Sequence, residues 1–227
     1  MRVVAVIPAK GSSSRVPDKN FRHFYNEKSL LEIKIKQCKE SSVFDAIYVS
    51  SDDERAKIIA ENNEVNYVAR DGRLCLDSTP WHEVLEGVLN SIPEADDVWV
   101  AWCPVTSPLF QRYKDIVDFL KKKVGEGFNS AVTVTPLKHY YLDSKFNPLN
   151  HRWGMWHTYS QSISPIYQLN LASIISIKND MKMCKYLIGS NPSFFETQTW
   201  EGMDIDTMEE FEMAEILYSK YLSLPET

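Results

Sequence analysis

Two stretches of the chain gather side chains able to handle phosphate and a metal ion. The first runs from Lys10 to Lys28 and holds five cations (Lys10, Arg15, Lys19, Arg22, Lys28) against two acids, Asp18 and Glu27. This local charge of +3 stands in a protein whose formal net charge is −6. An unbroken apolar run, Val3-Val4-Ala5-Val6-Ile7-Pro8, precedes it, and Gly11, Ser12, Ser13 and Ser14 follow. A buried first strand delivering small residues and cations beyond its carboxyl end is how α/β proteins hold polyphosphates. At Gly11, Ser12 and Ser13, small side chains let backbone N–H groups and hydroxyls reach phosphate oxygens. Lys10, Arg15 and Lys19 would neutralise the remaining charge. Cation-rich loops are commonly just solvated surface. The strand before this one and the stiffening Pro8 and Pro17 set it apart.

The second stretch is Asp204-Ile205-Asp206-Thr207. In extended backbone, residues i and i+2 face the same side, so the two carboxylates converge while Ile205 points to the core. Two such acids suit Mg²⁺, which takes few protein oxygens and completes its octahedron with water and phosphate. The same residues also read as a helix N-cap ahead of Met208. Both readings are compatible, with Thr207 capping and the aspartates binding metal.

The elements that must position these motifs alternate in type. Ser29 and Glu32 form a capping box opening a helix to about Glu40. Ala46–Ser50 reads as a strand, and Asp52-Asp53 leads into a helix through Asn62. Val65–Val68 is a short strand, and Thr79 as N-cap with Pro80 at the first helical position opens a helix to Ser91. Val98–Cys103 is a buried strand. Gln111–Val124 is an amphipathic helix turning Ile116, Phe119, Leu120 and Val124 inward. Further strands are expected at Ala131–Val134 and Leu171–Ile177. A closing helix, Met208–Tyr221, is expected to bury Phe211, Ala214, Leu217, Tyr218 and Tyr221. Alternation of this kind predicts an α/β fold, a mainly parallel Rossmann-like sheet covered by helices on both faces. With 227 residues, 44% of them hydrophobic, the chain suits a single domain.

Between Pro136 and Pro165 the pattern breaks into an aromatic-rich insertion holding Tyr140, Tyr141, Phe146, Trp153, Trp156 and Tyr159. Such a segment either folds over its own core or faces a partner. The acidic balance argues against a nucleic-acid binder, and no apolar stretch approaches a membrane span. With no signal peptide evident and four scattered cysteines (Cys38, Cys75, Cys103, Cys184), the chain reads as cytoplasmic, its thiols reduced and mostly buried. The five histidines show no zinc spacing with cysteine.

The first loop resembles that of the CMP-sugar-acid synthetases, the cytidylyltransferases for sialic acids and for KDO. Arg15, Pro17 and Lys19 follow the KDO pattern, and Lys19-Asn20 the sialic acid pattern. Lys10 stands where both groups usually carry arginine. Asp204-Ile205-Asp206-Thr207 is similar to the family's metal motif and favours Mg²⁺ there. The resemblance implies a nucleotide-diphospho-sugar transferase type of fold and transfer of CMP from CTP to a sugar-acid-like acceptor. Lys19 joins Asp204 and Asp206 as catalytic residues. The implied CTP site comprises Lys10, Gly11, Ser12, Ser13, Arg15, Lys19 and Asn20, with Arg70 and Ser78 in a segment resembling the cytidine lining. Thr106 completes it, in a Thr106-Ser107-Pro108-Leu109 turn like that of the sialic acid group, although Cys103-Pro104-Val105 replaces the usual preceding glutamine. Lys138, Asn170 and Gln168 are the implied acceptor residues. The same resemblance makes residues 136–169 a dimerisation arm and the protein a homodimer. The arginines that sialic acid synthetases place just before the asparagine are missing between Ser160 and Asn170, and Arg152 is the nearest. No general base is singled out among His82, Asp52 and a metal-bound hydroxide.

Two other functions fit parts of the pattern. Asp-x-Asp is also the metal motif of many glycosyltransferases, which place it near mid-chain and lack a cationic first loop. A non-catalytic nucleotide-binding relative would keep the loop without turnover.

Overall fold

The computed structural model describes residues 1–26 and 28–221. Its centre is β1 (Val3–Pro8), paired in parallel with β4 (Ala46–Ser51) on one side and β6 (Trp99–Trp102) on the other. Both faces of β1 are covered, which is why its sequence is continuously apolar rather than alternating. β5 (Asn66–Ala69) adds beyond β4. Beyond β6 lie β8 (Ile166–Ile177), β7 (Ser130–Leu137) and β9 (Pro192–Glu196), giving the order β5-β4-β1-β6-β8-β7-β9. Only β8 runs against its neighbours in this sheet. The expected mainly parallel α/β sheet is therefore present. A small ribbon of β2 (His23–Tyr25) and β3 (Lys28–Ser29) follows the first loop.

On one face, α1 (Leu30–Ser41), α2 (Glu54–Asn62), α4 (Tyr113–Val124) and α6 (Met208–Tyr221) bury side chains against Val3, Ala5 and Ile7 of β1. On the other, α3 (Trp81–Ser91) and α5 (Lys178–Cys184) cover Val4 and Val6. The capping box at α1 forms as expected, with Glu32 N donating to Ser29 Oγ and Ser29 N donating to Glu32 Oε2.

Several local expectations need correction. Pro80, not Thr79, is the N-cap of α3, because the Thr79 hydroxyl turns back to donate to the Arg73 carbonyl. Val124 lies 39% exposed at the end of α4, while Tyr113 and Val117 take core positions that the sequence pattern did not single out. Tyr221 stays outside the core, stacked on Trp200 at a centroid distance of 4.9 Å. β8 begins at Ile166 rather than Leu171. Neither α5 nor β9 was anticipated. Cys38, Cys75 and Cys103 are buried, Cys184 is exposed, and all four are free. No described helix is long and apolar enough to cross a membrane.

One feature of the sheet shapes the site directly. Pairing of β8 with β6 stops at Trp102↔Ile174, whereas its pairing with β7 continues from Val134↔Leu169 to Leu137↔Ile166. The β7–β8 ribbon thus projects past the carboxyl edge of β6. Its register shifts between Val132 and Val134, opposite Leu171, which adopts a left-handed φ of 55°. Residues 138–165 leave the end of this ribbon. Their side chains Phe146, Trp153, Met155, Trp156 and Tyr159 are all more than half exposed.

Candidate active site

The loop after β1 is tied at both ends. Asn20 Nδ2 donates to the Lys10 carbonyl at 2.9 Å, and Leu31 N in the first turn of α1 donates to the Asn20 carbonyl at 3.2 Å. Gly11 N donates to Asp52 Oδ1 at 2.8 Å. A Cβ on Gly11 would stand 2.8 Å from Asp53 Oδ2, so glycine permits this approach. The loop forms one wall of a cavity of about 490 Å³ lined by Lys10, Ser12, Ser13, Arg15, Lys19, Asn20, Arg70 and Thr106. These eight expected nucleotide residues are thus brought together. Gly11 and Ser78 stand outside the lining, and Asp77, beside Ser78, takes a place in it.

The cations of this wall meet acids from other elements. Lys10 Nζ lies 2.5 Å from Asp77 Oδ1, and Arg15 Nη2 lies 2.6 Å from Asp206 Oδ1. Lys19 Nζ donates to the Ile205 carbonyl at 2.6 Å and stands 3.9 Å from Asp206. Burial pulls the Lys19 ammonium below the usual lysine range, opposed by the charges of Asp204 and Asp206. Arg70 donates through Nη2 to the Ser50 carbonyl, while its buried Nε has no protein partner.

The Asp204–Asp206 segment is held from two sides. Ile205 N donates to the Thr106 carbonyl at 2.9 Å, and the Ile205 side chain is fully buried. Asp204 opens to water in the crevice, yet the protein crowded around it raises its pKa, and the charge of Asp206 adds to that. A hydrogen bond with the Thr106 side chain works in the opposite direction. Thr207 caps α6 in a second capping box. Its Oγ1 accepts from Glu210 N at 3.2 Å, and Glu210 Oε2 accepts from Asp206 N and Thr207 N, both at 2.8 Å. These backbone donors hold the Glu210 carboxyl below its ordinary range. Capping and carboxylate display therefore coexist, because different residues perform them. Asp204, Asp206 and the Thr106 hydroxyl are hard oxygen donors of the kind Mg²⁺ takes. No group of three or more His, Cys, Asp or Glu suited to a metal occurs among the described residues.

A second cavity, of about 880 Å³, shares Trp81, Trp102, Pro104 and Thr106 with the first. Its lining includes Gln168, Asn170, Thr199, Trp200, Met203, Asp204, Asp206 and Glu210, and contains no lysine, arginine or histidine. Asn170 shapes the wall rather than offering free donors. Its Nδ2 donates to Thr135 Oγ1 at 2.8 Å and Thr197 Oγ1 at 2.9 Å, and its Oδ1 accepts from Ala172 N at 3.0 Å. Gly202 backs this network, and any Cβ there would collide with Thr135 Oγ1 and Asn170 Nδ2. Lys138 is exposed beyond the end of β7 and lines neither cavity, as is true of Arg152 in the arm. His82 is exposed on α3 and also lines neither, while Asp52 holds Gly11 N. Asp77 belongs to the Asp77-Ser78-Thr79 segment whose resemblance marked the cytidine lining, whereas sequence reasoning missed the edge-to-face pair Trp81–Trp102 and Glu210. The Thr207-x-x-Glu210 spacing was the available signal for Glu210.

The family model described as cytidylyltransferase matches residues 4–220. The chain belongs to this family. Similar relatives include a pseudaminic acid cytidylyltransferase of Campylobacter jejuni, 24% identical over 227 residues, covering 96% of this chain and 97% of the relative. An N-acylneuraminate cytidylyltransferase of Streptococcus agalactiae is also 24% identical, over 93% of this chain and 52% of its own length. The chain thus spans about half the length of the N-acylneuraminate relatives it matches. Among solved structures, a CMP:2-keto-3-deoxy-manno-octonic acid synthetase complexed with CTP superposes with a TM-score of 0.67 at 13% identity, over 98% of this chain and 100% of that one. The 2-C-methyl-D-erythritol 4-phosphate cytidylyltransferase of Francisella tularensis gives 0.65 at 16% identity, over 95% and 99%. These structures share the fold, and the resemblance read from the two motifs is borne out.

Proposed function

We propose that the protein is a cytoplasmic, Mg²⁺-dependent enzyme that transfers CMP from CTP to an anionic sugar or sugar-acid acceptor and releases pyrophosphate. The observation that carries this reading is the junction of the two motifs. Arg15 and Lys19 of the phosphate loop reach Asp206 and the Ile205 carbonyl where the two cavities meet. Family membership and the names of the relatives support the choice of CTP and of a sugar acid.

In this reading the triphosphate lies against Lys10, Arg15 and Lys19, with Ser12 and Ser13 on the same oxygens. The acceptor lies in the larger cavity, beside Gln168 and Trp200. An acceptor oxygen bonds to the α-phosphorus as the bond to the departing pyrophosphate breaks, and the acceptor proton passes to solvent. Positioning and charge neutralisation by the loop cations supply most of the rate enhancement. Asp204 and Asp206 would hold Mg²⁺, which when bound neutralises phosphate charge and acidifies the acceptor hydroxyl. The exposed aromatics of the arm 136–169 support a symmetric dimer.

The test is pyrophosphate release from CTP and Mg²⁺ across a panel of 2-keto sugar acids, with a chelator control. Release with at least one acid, abolished by chelation, is expected. CTP binding without release on any acceptor would overturn the reading in favour of a non-catalytic relative, and transfer from a nucleotide sugar would favour a glycosyltransferase.

A further inference from the structure

Behind the rim shared by the two cavities sits a charge that solvent does not reach. Lys34 of α1 is 0% exposed. Its Nζ donates to the Ser107 carbonyl at 2.8 Å, the Phe110 carbonyl at 3.2 Å and the Tyr113 hydroxyl at 2.9 Å. An ammonium group has three protons, and here each has an acceptor. One turn further along α1, buried Gln37 donates through Nε2 to the Pro108 carbonyl at 2.6 Å. All four acceptors belong to the segment from Ser107 to Tyr113, which follows β6 and opens α4. Burying an ammonium is costly unless it is fully hydrogen-bonded, and an apolar side chain would fill the same space without that cost. The charge therefore does more than pack: it holds three points of one loop.

The front of that loop carries Thr106, next in sequence to Ser107. Thr106 accepts from Ile205 N through its carbonyl at 2.9 Å, and Ile205 stands between Asp204 and Asp206 in the chain. Both cavities open in front of Thr106, so the bracing of this loop comes from behind. Two hydrogen bonds and the backbone of one residue link α1, through the Ser107 and Thr106 carbonyls, to the Ile205 amide between the two aspartates. We infer that Lys34, assisted by Gln37, is a positioning residue that fixes loop 104–110 and thereby seats the Thr106 carbonyl that holds Ile205 N and, with it, the Asp204–Asp206 segment. The inference rests on the catalytic reading of Asp204 given above, and Lys34 itself lines neither cavity.

The variant that tests it is Lys34→Met, which keeps length and volume but removes all three donors. Turnover should fall about tenfold to a hundredfold, the usual range for losing a charge-assisted hydrogen bond, while the KM for CTP stays within about threefold. Hydrogen exchange at the Ile205 amide should quicken about tenfold, with the core amides of α6 from Phe211 to Tyr218 unchanged. The exchange measurement needs no acceptor, so it stands apart from any failure of the activity reading. An unchanged kcat or unaltered exchange at Ile205 would overturn the inference. If Lys34→Met does not fold, Gln37→Met removes a single donor and should show the same pattern at about threefold to tenfold. Wild-type turnover and exchange in that variant would equally overturn it.

Discussion

The two cavities that meet at Trp81, Trp102, Pro104 and Thr106 differ above all in charge. The smaller one gathers Lys10, Arg15, Lys19 and Arg70, with Asp77 as its acid. The larger one gathers Asp204, Asp206 and Glu210 and has no basic residue. The smaller cavity thus carries countercharge suited to a polyphosphate. The larger one carries none, so in the proposed function the charge of an anionic acceptor there would be balanced by a metal ion at the acids or by groups outside this lining. The arginines absent between Ser160 and Asn170 and the outward placement of Lys138 point the same way.

The division is most severely tested at the boundary. Asp206→Asn should lower turnover by roughly a thousandfold, since charge neutralisation at a metal clamp is worth several kcal/mol. Its melting temperature should stay near wild type, because Thr207 and Glu210 perform the capping. Near-normal kcat would remove the acid pair from the reaction.

Next comes the rim held by Lys34, whose burial lowers its pKa to about 8 from 10.5. The folded state binds this proton less tightly than the unfolded chain, so between these pH values the unfolded state holds more protons and stability rises with pH. Below pH 8 the burial penalty is present in full. Relative to Lys34→Met, wild type should gain up to about 3 kcal/mol as pH rises from 8 to 10.5, read by denaturant unfolding. A pH-independent difference would mean that the ammonium is not desolvated as its surroundings indicate.

Lys19→Ala sharpens the contrast between tail and base. It should weaken CTP binding by about tenfold to a hundredfold in calorimetry and CMP binding far less. Equal losses would place Lys19 outside the triphosphate site. The smallest change concerns the arm. Replacing Trp153 and Trp156 with serine should halve the mass seen by light scattering, and a wild-type monomer at micromolar concentration would end the dimer proposal.

Legibility in the sequence followed how local the determining interactions are. The capping box at Ser29 and Glu32 is set by near neighbours and read correctly, as did β1, whose unbroken apolar run follows from the cover on both of its faces. Thr79 misled because a distant acceptor, the Arg73 carbonyl, competes for its hydroxyl. β9 went unseen because Pro192–Glu196 alternates at an edge, with Ser193 and Phe195 buried and Phe194 exposed. In the site, charge and spacing identified the loop cations and the acid pair. The inward commitment of Asn170 was not readable, since its partners, Thr135 in β7 and Thr197 just after β9, lie far away in sequence. Nothing in the sequence around Lys34 sets it apart, and only the fold reveals what its ammonium meets.

The reversed direction of β8 has an evolutionary consequence. Because this strand enters the sheet from the site side, Gln168 to Leu171 near its start line the larger cavity soon after the exposed arm. Phosphate loop and acid pair lie outside that span, at either end of the chain. Exchange of the single continuous segment 138–171 would alter one wall of the larger cavity together with the exposed arm, while Thr199, Trp200 and Met203 and the loop from Lys10 to Lys19 would stay as inherited.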